Sequence, residues 1–120
     1  MATIFDSDVR ANVCRSLGES GNVSAIPILK SLFSDKESLV RKSAFEALAS
    51  FPRSETTFSL YADALQDSDG SIRSRAVERL EGLGDPAAIP LLEKVAAKDP
   101  DPQLKFLAKK ALAALSPKKP

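Results

Sequence analysis

Residues 35–51 read DKESLVRKSAFEALASF, and the spacing of the apolar residues in this stretch decides the fold. Counted from Val40, further apolar residues follow four, seven, eight and eleven positions later, the last being Phe51. This spacing places five apolar side chains on one face of an α-helix. A helix with one apolar face is stable only when that face packs against another element. The stretch therefore predicts an amphipathic helix with a packing partner.

The same pattern recurs along the chain with a step of 31 or 32 residues. Val40–Arg41 aligns with Val9–Arg10, Ile72–Arg73 and Leu104–Lys105. Two other columns are apolar in all four copies: Val13, Ala44, Ala76 and Ala108 form the first, and Leu17, Leu48, Leu80 and Leu112 form the second. A fixed period of this length is typical of repeat proteins, in which each unit buries its apolar face against its neighbours.

A shorter apolar segment precedes this helix in each complete unit, which indicates a pair of helices per repeat. Ala25–Leu29 reads AIPIL, and Ala88–Leu92, which lies 63 residues later, reads AIPLL. Pro27 and Pro90 fall about one turn inside these first helices, where a missing N–H and a steric clash bend a helix. We expect a kink at each proline.

Glycine, aspartate and proline mark the ends of the helices. Gly21 and Gly84 each follow a helix, and Asp85 and Asp101 each precede a proline, as N-cap residues do. The sequence therefore predicts an all-α fold with about seven helices, at residues 8–18, 24–33, 38–51, 55–66, 71–83, 87–97 and 102–115. It predicts one domain over residues 1–120, made of a half repeat at 1–21 and of repeats at about 22–52, 53–84 and 85–116.

These features resemble HEAT repeats, and more narrowly the short variety named for phycobilisome lyases. The resemblance is carried by the Val-Arg start of the second helix, the acidic residue six positions earlier and the proline in the first helix. It is clearest in residues 35–51, 67–96 and 99–115 and covers nearly the whole chain. The resemblance implies an α-α superhelix, a right-handed solenoid of antiparallel helix pairs with roughly three and a half repeats.

In that family the turn aspartate and the helical arginine form a polar ladder between repeats. A turn carboxylate accepts the open N–H groups at a helix start, and we expect the neighbouring cation to pair with it. Ile4 stands where the first aspartate would be and Lys105 where an arginine would be, so the ladder is expected to be weaker at both ends. The residues in these positions are Asp35, Arg41, Asp67, Arg73, Asp99 and Lys105.

Residue types that carry out catalysis are scarce in this chain. It contains no histidine, and its one cysteine, Cys14, falls in the column of Phe45, Val77 and Lys109. Without a histidine to activate it, a partly buried and inert thiol is expected. The run at 67–70, DSDG, has its glycine too early for a calcium loop, so its aspartates are interpreted as helix caps. The sequence predicts no catalytic residue, metal or cofactor.

In repeat proteins of this kind the second helix of each pair commonly lines the concave, partner-binding face. The charges there are mixed, so neither nucleic acid nor a membrane is the expected partner, and the net charge of the chain is +1. Phe106 and its neighbour Leu107 form the one apolar pair, either an anchor for a partner or packing under the C-terminal tail or against a further repeat. The candidate protein-binding residues are Asn12, Arg15, Lys42, Glu46, Arg75, Glu78, Phe106 and Lys110.

Three hypotheses about function follow from the sequence. The first is a non-catalytic, cytoplasmic scaffold that binds a protein and also self-associates through exposed stack ends, at Ile4 and Phe5 or at Leu112 and Leu115. The resemblance supplies two others: the C-terminal helical repeats of a larger enzyme, such as an M1-type metallo-aminopeptidase, and a subunit similar to the bilin lyases of the phycobilisome.

Overall fold

A computed structural model describes residues 6–116, and these residues fold into seven α-helices without a strand. The seven helices predicted from the sequence are thereby confirmed. They are α1 (Ser7–Ser20), α2 (Ile26–Leu32), α3 (Ser38–Leu48), α4 (Glu55–Ala64), α5 (Gly70–Leu83), α6 (Ile89–Lys98) and α7 (Pro102–Leu115). Ile4 and Phe5, one of the stack ends predicted to self-associate, lie outside the described residues.

The helices divide into two compact units, and the boundary falls between Ser54 and Glu55. Unit 1 holds α1 to α3, and unit 2 holds α4 to α7. The boundary lies two residues after the end of the repeat predicted at 22–52.

Helix ends follow the chemistry that the sequence indicated. Gly21 and Gly84 end α1 and α5 in the left-handed conformation, with φ of 64° and 68°, where any residue with a Cβ is strained. Asp101 caps α7 by accepting a hydrogen bond from the N–H of Gln103. The predicted caps at these positions are confirmed.

The two prolines of the first helices lie elsewhere in their helices than the sequence predicted. Pro27 and Pro90 occupy the first turn of α2 and α6, and each α-helix is preceded by a 3₁₀ turn, at Val23–Ala25 and Pro86–Ala88. In the first turn of an α-helix no N–H is needed, so proline fits without breaking a hydrogen bond. The expected kink inside a continuous helix is therefore replaced by a junction between a 3₁₀ turn and an α-helix.

In unit 1 the core lies between α1 and α3, with α2 packed against α3. The helices approach closely at Gly18, where a Cβ would come within 3.0 Å of Ala47. Beside this contact, Cys14 and Phe45 are almost wholly buried, and the ring of Phe45 lies 6.3 Å from that of Phe33, centroid to centroid. The small residue at position 18 permits the close packing that covers Cys14.

In unit 2 the apolar columns form the core as predicted, except that Leu112 of α7 is half-buried. α5 packs against α4 and α7, and α6 packs against α7. Ile72, Ala76 and Leu80 of α5 are at most 2% exposed, and Ala108 of α7 is fully buried. The periodicity of the sequence thus marks the buried faces of this unit.

The same columns are not buried in α1. Val9 is 39% exposed and Val13 is 41% exposed, whereas Val40 and Ala44, one repeat later, are fully buried. α2 packs against α3 within the same pair, but no helix precedes α1 in the described part of the chain. Among residues 6–116, the first copy of the pattern therefore has no first helix packed on it as the later copies have.

Candidate functional site

A cleft of about 330 Å³ lies between α1 and α3, the two second helices of unit 1. We call it the α1–α3 cleft. Arg15, Lys42 and Glu46, three of the residues predicted to bind a partner, line it. Asn12, a fourth candidate, is an exposed residue of α1 but does not line the cleft.

Local packing explains why a cleft forms here. Gly18 and Ala47 form part of its lining, and because neither has a long side chain the helices meet closely beneath the polar rim. Ser43, which also lines the cleft, donates its hydroxyl hydrogen to the carbonyl of Leu39 and so is held against its own helix. Gly18 and Ala47 therefore form a narrow floor, and the charged side chains surround it.

The charges around the α1–α3 cleft are balanced. Arg15 and Lys42 contribute two cations, and Glu19 and Glu46 contribute two carboxylates. Arg15 and Glu19 are exposed, whereas Lys42 and Glu46 are half-buried. A cleft with both signs of charge matches a protein surface better than the uniformly negative backbone of a nucleic acid.

The other candidate binding residues lie in unit 2. Arg75 and Glu78 are exposed on α5, and Lys110 is exposed on α7. Phe106 of α7 is 68% exposed, while its neighbour Leu107 is half-buried. Phe106 is thus available on the surface of its unit, as an anchor residue would be.

Asp35 and Asp99, two aspartates of the predicted ladder, each accept hydrogen bonds from the arginine of the preceding repeat. In unit 1 the Nε and Nη2 atoms of Arg10 donate to the two carboxylate oxygens of Asp35, at 2.8 and 2.9 Å. Arg41, six residues after Asp35, donates instead to the backbone carbonyl of Asp35 at 2.9 Å. The sequence indicated both arginines by their common column but did not place Arg10 in the ladder.

Unit 2 repeats this arrangement. Arg73 donates from Nε to Asp99 at 3.0 Å and from Nη1 to the carbonyl of Asp67 at 2.9 Å. Asp99 also accepts the N–H of Asp101 at the start of α7. Lys105 makes no hydrogen bond or ion pair with the described residues, so the Asp99 turn lacks the second link that an arginine makes at the other turns.

These contacts serve structure rather than reaction. Asp35 and Asp99 each accept hydrogen bonds from a backbone N–H near a helix start and from an arginine side chain. Few acceptor positions of either carboxylate are then left for another ligand. The hydrogen bond from Arg10 holds the pKa of the Asp35 carboxyl below its usual range, since it favours the charged form. A carboxylate held in its ionised form does not serve as a general acid at neutral pH.

Cys14 is not placed for nucleophilic chemistry. It is fully buried, and burial raises the pKa of its thiol to about 11, so the thiol stays protonated at neutral pH. Its sulfur lies 3.9 Å from the carbonyl oxygen of Val40. Within residues 6–116 no group of three or more cysteine, aspartate or glutamate side chains is placed to hold a metal ion.

No helix among the described residues has both the length and the apolar character needed to cross a membrane. The family profile described as HEAT repeats matches the chain twice, over residues 2–60 and 52–116. No curated protein matches the sequence.

Proposed function

The chain belongs to the HEAT-repeat family, and we propose that it is a non-catalytic module that binds another protein through the α1–α3 cleft. HEAT repeats form α-α solenoids and in general act in protein interaction rather than in catalysis. The right-handed superhelix, the repeat boundaries and a single domain over residues 1–120 remain part of the proposal. So does a cytoplasmic location, which fits a chain whose one cysteine is a buried free thiol.

The observation that carries the proposal is the gathering of predicted binding residues around one cleft. Arg15 and Lys42 are 27 positions apart in the sequence, and both line it together with Glu46. The close contact of Gly18 with Ala47 fixes the spacing of the two helices that present them. A rigid scaffold that presents mixed charges lowers the ordering cost of binding a partner.

Site-specific photocrosslinking tests this proposal. A benzoylphenylalanine placed at Ser43, inside the cleft, should crosslink a partner in cells, whereas the same residue placed at Ser31, an exposed position on α2, should not. Arg15→Glu together with Lys42→Glu should remove the crosslink from position 43. Equal crosslinking from both positions, or a crosslink that survives the charge reversals, would count against the cleft.

A second candidate is supported by the exposed stripe of α1. Val9 and Val13 present the apolar face that the later repeats bury, so a further helix would fit against them. The chain would then be the helical-repeat part of a larger protein, for which an enzyme is one option. A genomic reading frame that continues upstream into a helix with apolar residues at helical spacing would support this candidate, and a frame that starts at Met1 would remove it.

A further inference from the structure

Unit 2 contains a second cleft, of about 300 Å³, on different helices from those that line the α1–α3 cleft. Its walls come from the C-terminal end of α4 with the turn that follows, and from α6. We call it the α4–α6 groove. The main lining side chains are Ala62, Leu65, Leu91, Lys94, Val95 and Lys98.

The α6 wall of the groove carries two parallel rows. Leu91 and Val95 form an apolar row, and Lys94 and Lys98 form a basic row beside it. In each row the two residues are four positions apart, so they lie one above the other on the helix, about 6 Å apart along its axis. Opposite them, Leu65 of the neighbouring wall extends the apolar floor.

Lys94 and Lys98 have no polar partner among residues 6–116. Both are exposed, and neither makes a hydrogen bond or ion pair with the described part of the chain. Asp99 is the acidic residue that lines the groove, and its oxygens are taken up by Arg73 and by the N–H of Asp101. Like charges four residues apart in a helix repel each other, so the basic row slightly destabilises α6 in the free protein.

The basic row is not required by the repeat. In α2, 63 residues earlier, Ile28 and Leu32 occupy the positions of Leu91 and Val95, but Ser31 occupies the position of Lys94. The apolar residues are thus common to both first helices, whereas the lysine is particular to α6. The side chain of Leu91 is half-buried and those of Val95 and Leu65 are buried, so Lys94 and Lys98 are the exposed side chains of these two rows. Two exposed lysines that the repeat does not require, beside a groove, suit an acidic partner.

We propose that the α4–α6 groove binds an amphipathic, acidic helix of a partner protein. An apolar residue of that helix would contact the half-buried Leu91, and acidic residues four positions apart would pair with Lys94 and Lys98. With a volume of about 300 Å³, the groove has room for an aliphatic side chain of that helix. The ion pairs would also relieve the repulsion between the lysines.

This proposal is separate from the proposed function of the α1–α3 cleft. The two surfaces share no lining residue and no helix. The photocrosslink from position 43 and the peptide binding described next therefore succeed or fail independently.

Fluorescence anisotropy with the full chain and a labelled synthetic peptide tests the groove. The probe is an alanine-based helical peptide with leucines four residues apart on one face and glutamates four residues apart beside them. A second probe has lysine in place of each glutamate. We expect the acidic probe to bind and the basic probe not to. Lys94→Glu with Lys98→Glu should weaken binding of the acidic probe by about tenfold or more, because two charge pairs become repulsive.

The charge-reversed variant also supplies its own control for folding, since it should bind the basic probe. Lys30→Glu with Lys109→Glu makes the same charge change at exposed positions of α2 and α7 outside the candidate binding residues, and should leave binding of the acidic probe within about twofold. Equal losses in the two variants would show attraction by net charge alone and would overturn the proposal. So would absence of binding by the unaltered chain, or binding to phosphatidylserine vesicles in place of the peptide.

Discussion

α1 and α5 carry the same apolar pattern at equivalent places in the repeat, but their surroundings differ. In α5, Ile72 and Ala76 are 2% and 0% exposed, whereas the equivalent Val9 and Val13 of α1 are 39% and 41% exposed. α5 packs on its own first helix, α4, and within residues 6–116 α1 has no such helix. The periodicity of a sequence therefore identifies the face that a repeat uses, and the neighbouring helix decides whether that face is buried.

The largest effect is expected from truncating the leucine column in the two helices. Leu80 of α5 is fully buried, and Leu80→Ala should lower the free energy of unfolding by about 2–5 kcal/mol, because it leaves a cavity. Leu17 of α1 is half-buried, so Leu17→Ala should lower it by less than half as much. Urea denaturation followed by circular dichroism measures both. Equal losses would mean that the α1 face is covered in solution.

A smaller effect is expected at the Asp99 turn. Asp99 is 7% exposed, and Asp99→Ala leaves the guanidinium of Arg73 and the N–H of Asp101 without their acceptor. The free energy of unfolding should fall by about 1–3 kcal/mol. The rate of backbone amide hydrogen exchange should also rise in the first turn of α7. Asp63→Ala, an exposed position on α4, serves as the control and should change neither quantity appreciably.

The helices and their caps were predictable because they depend on residues close together in the sequence. The spacing of Val40 and Leu48, and the glycine at position 84, act within a turn or two of the chain. The partner of Asp35 was harder to predict, because Arg10 reaches it from 25 positions away and the spacing alone pointed to Arg41. Arg10 and Arg41 occupy the same position of successive repeats, and this shared position is the sequence feature that points to Arg10 as a further member of the ladder.

Other features depend on packing that the periodicity does not encode. The exposure of Val9 follows from the absence of a preceding helix in the described residues, and a pattern shared by all four copies cannot show this. The α4–α6 groove was missed for a related reason. Lys94 and Lys98 belong to a first helix, whereas the sequence pattern predicts binding residues on the second helices.

A single substitution could give the Asp99 turn the second arginine hydrogen bond that the Asp35 turn has. Arg41 donates to the carbonyl of Asp35, and Lys105 occupies the equivalent place six residues after Asp99 but makes no such bond. Lys105→Arg should add this hydrogen bond and raise the free energy of unfolding by about 0.5–1.5 kcal/mol. Lys109→Arg on the same helix is the matched control. No gain at position 105 over position 109 would show that the second arginine link contributes little.

The smallest effect is expected from the ion pair between Arg10 of α1 and Asp35, in the turn before α3. The hydrogen bond from Arg10 lowers the pKa of Asp35 in the folded protein, so the pair contributes stability at neutral pH and loses it as pH falls through that lowered pKa. Because an ion pair near the surface is screened by solvent and salt, the change should be modest. The difference in unfolding free energy between the unaltered chain and Asp35→Asn should shrink below about pH 4, the ordinary range of an aspartate. Asp63→Asn should show no such trend. A difference that is constant with pH would mean that Asp35 stabilises its turn through its bond to the N–H of Glu37 rather than through its charge.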